Sequence, residues 1–412
     1  MAGAIVILVM AEEKWQEADF LRGEIEARGC RAAILDMGLM GRPQGACDIT
    51  REEIISASGH DPEEVALAAD RRKRMPVMVD GAIKKVRELY LKGNLDGIIS
   101  IGGTTGTQMG TSIMKSLPFG VPKLAVSSTA SLPGFASRCI GTADIALMHS
   151  VVEIAGLNSL MRNVLSRAAG AICGMVEATA KAPLSLLGKD EKSAIAMTHF
   201  GPCEECAVNV RKQLEQRGYQ VIGFSAAGVG DRAMEEIIAQ QDIFAAVIDL
   251  APGGVGEELL GFTRAAGSNR LEGAGKRGIP QIIAPCAVNW GSPSKREYKP
   301  EYELRKKYDY DAARTFIRLS AEEMVLVANA MADKLNKARG PVKVLIPLGG
   351  WSSLDRKGTD YYDTDLDRAF VTTLKKRLKD TIEVREVDAD LETPEFANAV
   401  VEAFDELMAP FT

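Results

Sequence analysis

The sequence predicts an α/β protein made of two doubly wound, Rossmann-like domains with parallel sheets, related by an internal repeat. Three observations support this prediction: a length of 412 residues, the alternation of apolar and amphipathic segments, and one pattern that recurs in both halves. A chain of this length exceeds what a single hydrophobic core usually organises. Apolar strands that alternate with amphipathic helices are typical of a parallel sheet covered on both faces.

The repeat links the segment from Ile5, IVILVMAEEKWQEADFLRGEIEARG, to the segment from Ala194, AIAMTHFGPCEECAVNVRKQLEQRG. Each begins with a strand pattern, passes through a loop and an amphipathic helix to an Arg-Gly pair, and then starts a second strand. Glycine suits the end of a helix because a left-handed residue costs little there. We therefore expect parallel sheets whose first strands span 4–10 and 194–198.

The domain limits follow from where the repeat starts and where it is interrupted. We expect a nucleotide-binding α/β domain over 1–180 and a second α/β domain over 194–412. The segment 181–193, KAPLSLLGKDEKS, has the proline, glycine and charge content of a linker. Two insertions, 47–78 and 289–320, break the symmetry, and long insertions in such folds are typically lids or interface elements.

Composition and charge exclude several classes of function. Hydrophobic residues make up 46% of the chain and charged residues 26%, which fits a folded globular protein, and no apolar run approaches the ~20 residues of a membrane span. A formal net charge of −6 argues against a nucleic-acid or acidic-membrane surface. Seven cysteines do not form a disulfide pattern. The first strand lacks the basic region and small-residue cleavage site of a leader, so we expect none. We expect a cytoplasmic protein that binds neither nucleic acid nor a membrane.

The turn GGTTGT is the strongest candidate for a binding site. It lies between a predicted strand and a predicted helix, at the edge of the sheet where α/β proteins bind ligands. Its glycines allow close approach to the backbone, and its hydroxyls and helix-start amides suit phosphate or carboxylate. The turn lacks the Walker A lysine and does not match G-x-G-x-x-G, so a tight turn without a ligand stays an alternative. Its residues are Gly102, Gly103, Thr104, Thr105, Gly106 and Thr107.

Three more residues are expected beside this turn. Asp36 ends the second predicted strand, where acids commonly reach a ribose hydroxyl; a solvated turn acid or a metal contact is the alternative. Ser127 and Ser128 end another strand at the same edge, although a plain strand terminus would also explain them.

His60, His199 and Asp355 are the candidate catalytic residues. Both histidines occupy predicted loop positions where acid-base chemistry is possible. The chain has three histidines in all, which leaves little room for a histidine metal centre, and we predict no protein metal site. The motif CEEC, a single C-x-x-C pair, is weak evidence for zinc or redox chemistry. The loop edge of the second half contributes Asn289, Ser352, Ser353 and Asp355.

Seven segments carry a resemblance to a known family: ILDMG, CDITREEI, DGIISIGGTTGT, FGVPKLAVSS, GTADIALMHSVVEIAGLN, RLEGAGKRGIPQI and GPVKVLIPLGGWSSLD. Over about residues 1–390 the chain resembles the family of the ATP-binding amino-terminal domain of the tomato tobamovirus-resistance protein, found in bacteria, fungi and plants. The resemblance implies a two-part α/β fold, ATP binding and a homodimer, but no established reaction. It makes 102–107 the phosphate-proximal turn, with Asp36, Ser127 and Ser128 as neighbours.

Three functions stay open at this point. The first is an enzyme that uses ATP, with Mg²⁺ as a candidate companion, on a small acidic metabolite in the cleft between the halves. The second is a non-catalytic, ATP-gated binding or regulatory protein. The third is a nucleotide-independent lyase or hydrolase that grips a carboxylate or phosphate, with His60 or His199 as base. The segment 151–176 has apolar residues on more than one predicted face, which together with the resemblance favours a homodimer.

Overall fold

The structure is a computed structural model, and it describes residues 3–67, 70–182, 194–311 and 314–411. The chain divides into two compact units, Met1–Leu184 (unit 1) and Ser185–Thr412 (unit 2). Most of the predicted linker, 183–193, lies outside the described residues. No helix among the described residues is long and apolar enough to cross a membrane.

Unit 1 is built on a five-stranded sheet with the order β2-β1-β3-β4-β5, and every pair of neighbours is parallel. The central strands β1 and β3 are buried along their whole length, which explains their continuous apolar sequences. The elements are β1 (Ala4–Val9), α1 (Ala11–Glu26), β2 (Arg31–Asp36), α2 (Arg51–Ser58), α3 (Pro62–Leu67), α4 (Arg71–Leu91), β3 (Gly97–Gly102), α5 (Thr104–Met114), β4 (Lys123–Ser127), α6 (Phe135–Ile140), β5 (Ala146–His149) and α7 (Ser159–Lys181).

Helices cover both faces of this sheet. On one face α1 and α7 pack on alternate strand residues such as Ile7 and Ile99, and on the other α2, α4 and α5 pack on residues such as Leu8 and Ile98. Packing within unit 1 accounts for most of the apolar residues of 151–176. The helix of this segment begins only at Ser159, and one of its faces packs in this core. The opposite face of α7 is exposed.

Unit 2 is built on a six-stranded parallel sheet with the order β14-β13-β9-β8-β6-β7. The elements are β6 (Ala194–His199), α8 (Glu204–Gln216), β7 (Gln220–Ser225), α9 (Gly230–Gln240), β8 (Phe244–Asp249), α10 (Gly254–Leu260), α11 (Gly273–Arg277), β9 (Gln281–Ile283), β10 (Trp290–Gly291), β11 (Lys307–Asp309), β12 (Thr315–Arg318), α12 (Ala321–Leu335), β13 (Val342–Pro347), α13 (Thr364–Arg377), β14 (Glu383–Val387) and α14 (Pro394–Met408).

The predicted fold class is confirmed. The order β2-β1-β3-β4 in unit 1 has the same arrangement as β7-β6-β8-β9 in unit 2, and the first strands fall where the repeat places them. The insertion at 289–320 contains an element that the sequence did not predict, a three-stranded antiparallel sheet with the order β10-β12-β11. The insertion at 47–78 forms α2, α3 and the start of α4.

Candidate functional site

Unit 1 has a cavity at the carboxyl edge of its sheet, between β1 and β3. Here the connections diverge, because β1 leads through α1 to its neighbour β2 whereas β3 leads through α5 to β4 on the other side. Open α/β sheets bind ligands at such topological switch points. The cavity has a volume of about 220 Å³ and is lined by the end of β1, the start of α1 and the residues 101–106, with Arg71 and Glu153 beside them.

The loop after β3 leaves backbone amides open at the start of α5. Gly103 precedes the helix with φ −81° and ψ −155°, and no side chain caps the helix. The N–H of Thr107 is the first to bond within the helix, to the carbonyl oxygen of Gly103 at 2.9 Å. The amides of Thr104, Thr105 and Gly106 are therefore left for a ligand, and the positive end of the helix dipole adds to their attraction for an anion.

Gly102 and Gly103 differ in the space that each position leaves for a side chain. A Cβ at Gly102 would lie 3.0 Å from the Cα of Gly106, so a side chain there would require the loop backbone to shift by a few tenths of an ångström. A Cβ at Gly103 would meet nothing closer than the Ser128 hydroxyl at 3.7 Å. A side chain at position 103 is thus compatible with the fold, and it would occupy the space beside the open amides.

Two predicted contact residues lie behind the loop instead of in the cavity. The hydroxyl oxygen of Thr107 lies 2.8 Å from the carbonyl oxygen of Gly103 and 2.7 Å from the hydroxyl of Ser127, and both side chains are buried. They hold the loop against β4. Ser128 donates its hydroxyl to Glu153 at 3.0 Å and so orients a carboxylate that lines the cavity.

Four charged residues of the cavity were missed by sequence reasoning: Glu13, Lys14, Arg71 and Glu153. Lys14 has non-helical backbone angles (φ −135°, ψ 28°) inside α1. Its ammonium donates to the carbonyl oxygen of Ile154 at 2.5 Å and lies 3.8 Å from the Glu153 carboxylate. The sequence AEEK that follows β1 was an available signal, because it comes directly after the carboxyl end of a strand at the switch point, where ligands bind in this topology.

Asp36 is buried at the end of β2, with both carboxylate oxygens in use. One accepts the amides of Ala11 and Gly38 at 3.1 and 2.8 Å, and the other accepts the Arg51 guanidinium at 2.7 Å. Arg51 also pairs with Glu12 at 3.1 Å. Asp36 therefore helps to fix the start of α1, and its carboxylate is not open to a ribose.

The candidate catalytic histidines are not among the residues that line the cavity. His60 is exposed after α2, and its Nδ1 lies 2.9 Å from the Ser58 hydroxyl. His199 ends β6 in unit 2, where its Nδ1 lies 2.9 Å from the Glu204 carboxylate. Their catalytic roles stay predictions.

Asp355 lies in a buried polar cluster of unit 2 that includes two of its predicted companions. It accepts the Ser352 hydroxyl at 2.6 Å and the Asn289 side-chain amide at 2.5 Å. Arg318 and Asp367 complete the cluster and were not predicted. Ser353 contributes no side chain to it; its backbone N–H donates to Pro202 in another loop.

No group of three metal-ligating side chains capable of holding an ion occurs in the part of the chain that the structure describes. The cysteines of CEEC, Cys203 and Cys206, are fully buried. Burial raises the pKa of the Cys206 thiol well above its usual range, so this thiol lacks the exposed thiolate that redox chemistry requires.

These features define a two-unit α/β protein with open helix-start amides and charged side chains at its first switch point. The chain belongs to the family described as "Uncharacterised protein family (UPF0261)". The N-terminal domain of that family matches residues 3–181, and its C-terminal domain matches residues 192–408.

Curated relatives match over nearly the whole chain. A UPF0261 protein of Clostridium tetani is 34% identical over 98% of this chain and 98% of its own length. A UPF0261 protein of Brucella melitensis is 32% identical over 98% of this chain and 96% of its own. The tomato (Solanum lycopersicum) ToMV resistance protein Tm-1(GCR237) is 33% identical over 91% of this chain, which spans 50% of that protein.

Proposed function

We propose that unit 1 binds ATP through its phosphates in the cavity between β1 and β3. The observation that carries the proposal is the set of three uncapped amides, Thr104 to Gly106, that line a cavity at the switch point. Lys14 and Arg71 line the same cavity and would donate to a polyphosphate. Each also lies beside a glutamate of the cavity, Lys14 at 3.8 Å from Glu153 and Arg71 at 3.5 Å from Glu13. The geometry supports a phosphate ligand, and the choice of ATP among phosphorylated ligands rests on the family resemblance.

The size of the cavity fits this reading. Its volume of about 220 Å³ is below the ~300 to 1,000 Å³ of sites that enclose a whole drug-sized molecule. We therefore expect the phosphates to occupy the cavity and the nucleoside to extend beyond it.

Mg²⁺ fits the same site. Glu13 and Glu153 line the cavity, and two carboxylates beside a polyphosphate would repel it. Mg²⁺ is commonly held by one or two carboxylates together with substrate phosphates, and there it neutralises negative charge. We propose that one or both of these glutamates hold the ion, which makes ATP affinity depend on Mg²⁺.

The reaction stays a prediction. Steady ATP turnover that rises with a small acidic metabolite would support the enzyme, whereas tight binding without turnover would support the ATP-gated regulatory protein. A protein that neither binds nor hydrolyses nucleotide would support the lyase or hydrolase. The homodimer also stays a prediction, and a monomer mass by light scattering at micromolar concentration would contradict it.

Calorimetry on Gly103→Val tests the proposal. Gly103 has a negative φ and an extended backbone, and a Cβ there has space, so the variant should fold, yet its side chain would occupy the phosphate position. We expect ATP affinity to fall at least ~100-fold, or about 2.7 kcal/mol, with the Tm of the ligand-free protein little changed. Gly23→Val is the matched control, because position 23 is exposed on α1 and a Cβ there meets nothing within 4 Å. Unchanged ATP affinity in folded Gly103→Val would refute the site.

A further inference from the structure

Unit 2 has a cavity of its own, with a volume of about 280 Å³, at the carboxyl ends of β13 and β14 beside the first turns of α13. Much of its lining is apolar and includes Ile346, Pro347, Trp351 and Val371. Asp367 lines the same cavity from α13. The proposed ATP site does not use this cavity.

The Asp367 carboxylate is held in place through one oxygen, and its other oxygen accepts no hydrogen bond from the described residues. Its Oδ1 accepts the Arg318 guanidinium at 2.7 Å and the Asn289 side-chain amide at 2.9 Å. The side chain is 10% exposed. Within the described ranges no hydrogen bond reaches Oδ2. The inner oxygen is therefore held in place, and the outer oxygen is available to a molecule in the cavity.

The surroundings of Asp367 contain further polar atoms without partners. The Asn289 Oδ1, Arg318 Nε and Tyr361 Oη atoms are buried and make no hydrogen bond among the described residues. Their side chains are at most 3% exposed. Buried polar atoms in native proteins nearly always have partners, and the exceptions are explained by a bound water, ion or ligand, or by strain. The cluster therefore contains more hydrogen-bonding atoms than its internal contacts satisfy.

The charges at the cavity indicate which ligand fits. The Glu386 carboxylate pairs with Lys375 at 2.7 Å, and the Arg368 guanidinium lies 3.4 Å from Asp365. The outer oxygen of Asp367 accepts hydrogen bonds but donates none while the carboxylate is ionised. We propose that this cavity binds a small primary amine with a compact apolar body, whose ammonium donates to Asp367 while the body packs beside Trp351.

The electrostatics of Asp367 agree with an ammonium ligand. Burial, together with the like charge of Asp355, raises the pKa of Asp367 to about 6, although Arg318 opposes that rise. The carboxylate is thus largely ionised at neutral pH, but Arg318 does not fully balance the cost of its burial. A second cation on its outer oxygen would further stabilise the negative charge.

Calorimetric titration with benzylamine at neutral pH tests the proposal. A ligand of this size should bind saturably, with a Kd of roughly 1 mM. Asp367→Asn keeps the side-chain volume and removes the charge, so we expect affinity to fall at least about tenfold. Asp380→Asn is the control, because Asp380 is exposed after α13 and does not line the cavity, so its loss should leave the affinity unchanged. Benzyl alcohol should bind more weakly than benzylamine.

A second variant covers the case in which Asp367→Asn fails to fold. Val371→Lys leaves the buried cluster intact and places an ammonium in the cavity from α13, so it should abolish benzylamine binding. Three results would overturn the proposal: no saturable binding up to ~10 mM benzylamine, equal affinity in folded Asp367→Asn, or tighter binding of benzoate than of benzylamine.

Discussion

The switch points of the two units share a topology but differ in content. In unit 1 the strand β3 ends in glycine, and the residues that follow line a cavity. In unit 2 the equivalent strand β8 ends at Asp249, whose carboxylate accepts the Thr198 hydroxyl from β6 at 2.6 Å and pairs with Arg270. Asp249 and Arg270 are both buried. The glycine loop that follows β8 is buried, and Gly253 packs on the backbone of Ala287. A packed loop beside a buried ion cluster thus stands where unit 1 has an open loop.

The charged residues of this cluster are buried together, and two of their polar atoms, Asp231 Oδ2 and Arg270 Nε, make no hydrogen bond among the described residues. Arg270 is fully buried and lies 3.4 Å from Asp231 and 3.2 Å from Glu235, in addition to its contact with Asp249. Burial raises the pKa of Asp231 and of Glu235, and Arg270 opposes this effect. The comparison indicates that strand order places a potential site, while the residues at the strand ends decide whether that site is open or filled by the protein's own side chains.

The largest effect should come from removing the cation of that cluster. Arg270→Met leaves three carboxylates buried without their cation, and breaking a buried pair in this way costs about 3 to 5 kcal/mol of unfolding free energy. Urea unfolding of the two proteins measures the loss. Arg232→Met, which changes an exposed arginine on α9, should stay within about 0.5 kcal/mol of wild type. A loss below ~1 kcal/mol in Arg270→Met would contradict a stabilising role.

A smaller effect is expected for Lys14 in unit 1. Lys14→Met removes a charged contact to phosphate, so ATP affinity should fall about tenfold, or ~1.4 kcal/mol. Because Lys14 also donates to the Ile154 carbonyl oxygen, the unfolding free energy should fall by roughly 1 to 2 kcal/mol. Lys84→Met is the control, since Lys84 is an exposed lysine paired with Asp80 on α4. An ATP affinity that is the same in Lys14→Met and wild type would remove Lys14 from the site.

Much of the fold could be predicted from the sequence because its signals are local. Continuous apolar strands, amphipathic helices and the glycine loop each lie within a short segment, and the repeat supplies two copies of the pattern. The antiparallel sheet of the second insertion was missed because its strands are short, and β10 of two residues pairs with β12 across an intervening segment.

The candidate sites were predicted only in part, for a related physical reason. The glycine loop lies in one segment, whereas Arg71 and Glu153 reach the cavity from distant positions in the chain. Asp36 was interpreted as an open acid because its partner Arg51 follows only after a loop. Likewise Asn289 and Asp355 were expected together, but Arg318 and Asp367 join them through tertiary packing.

The most direct test of the central claim is a crystal structure of the protein with Mg²⁺ and a non-hydrolysable ATP analogue. We predict that phosphate oxygens lie about 3 Å from the amide nitrogens of Thr104, Thr105 and Gly106, with the Lys14 ammonium beside them. An analogue bound elsewhere in the chain, with this cavity holding only water, would contradict the assignment.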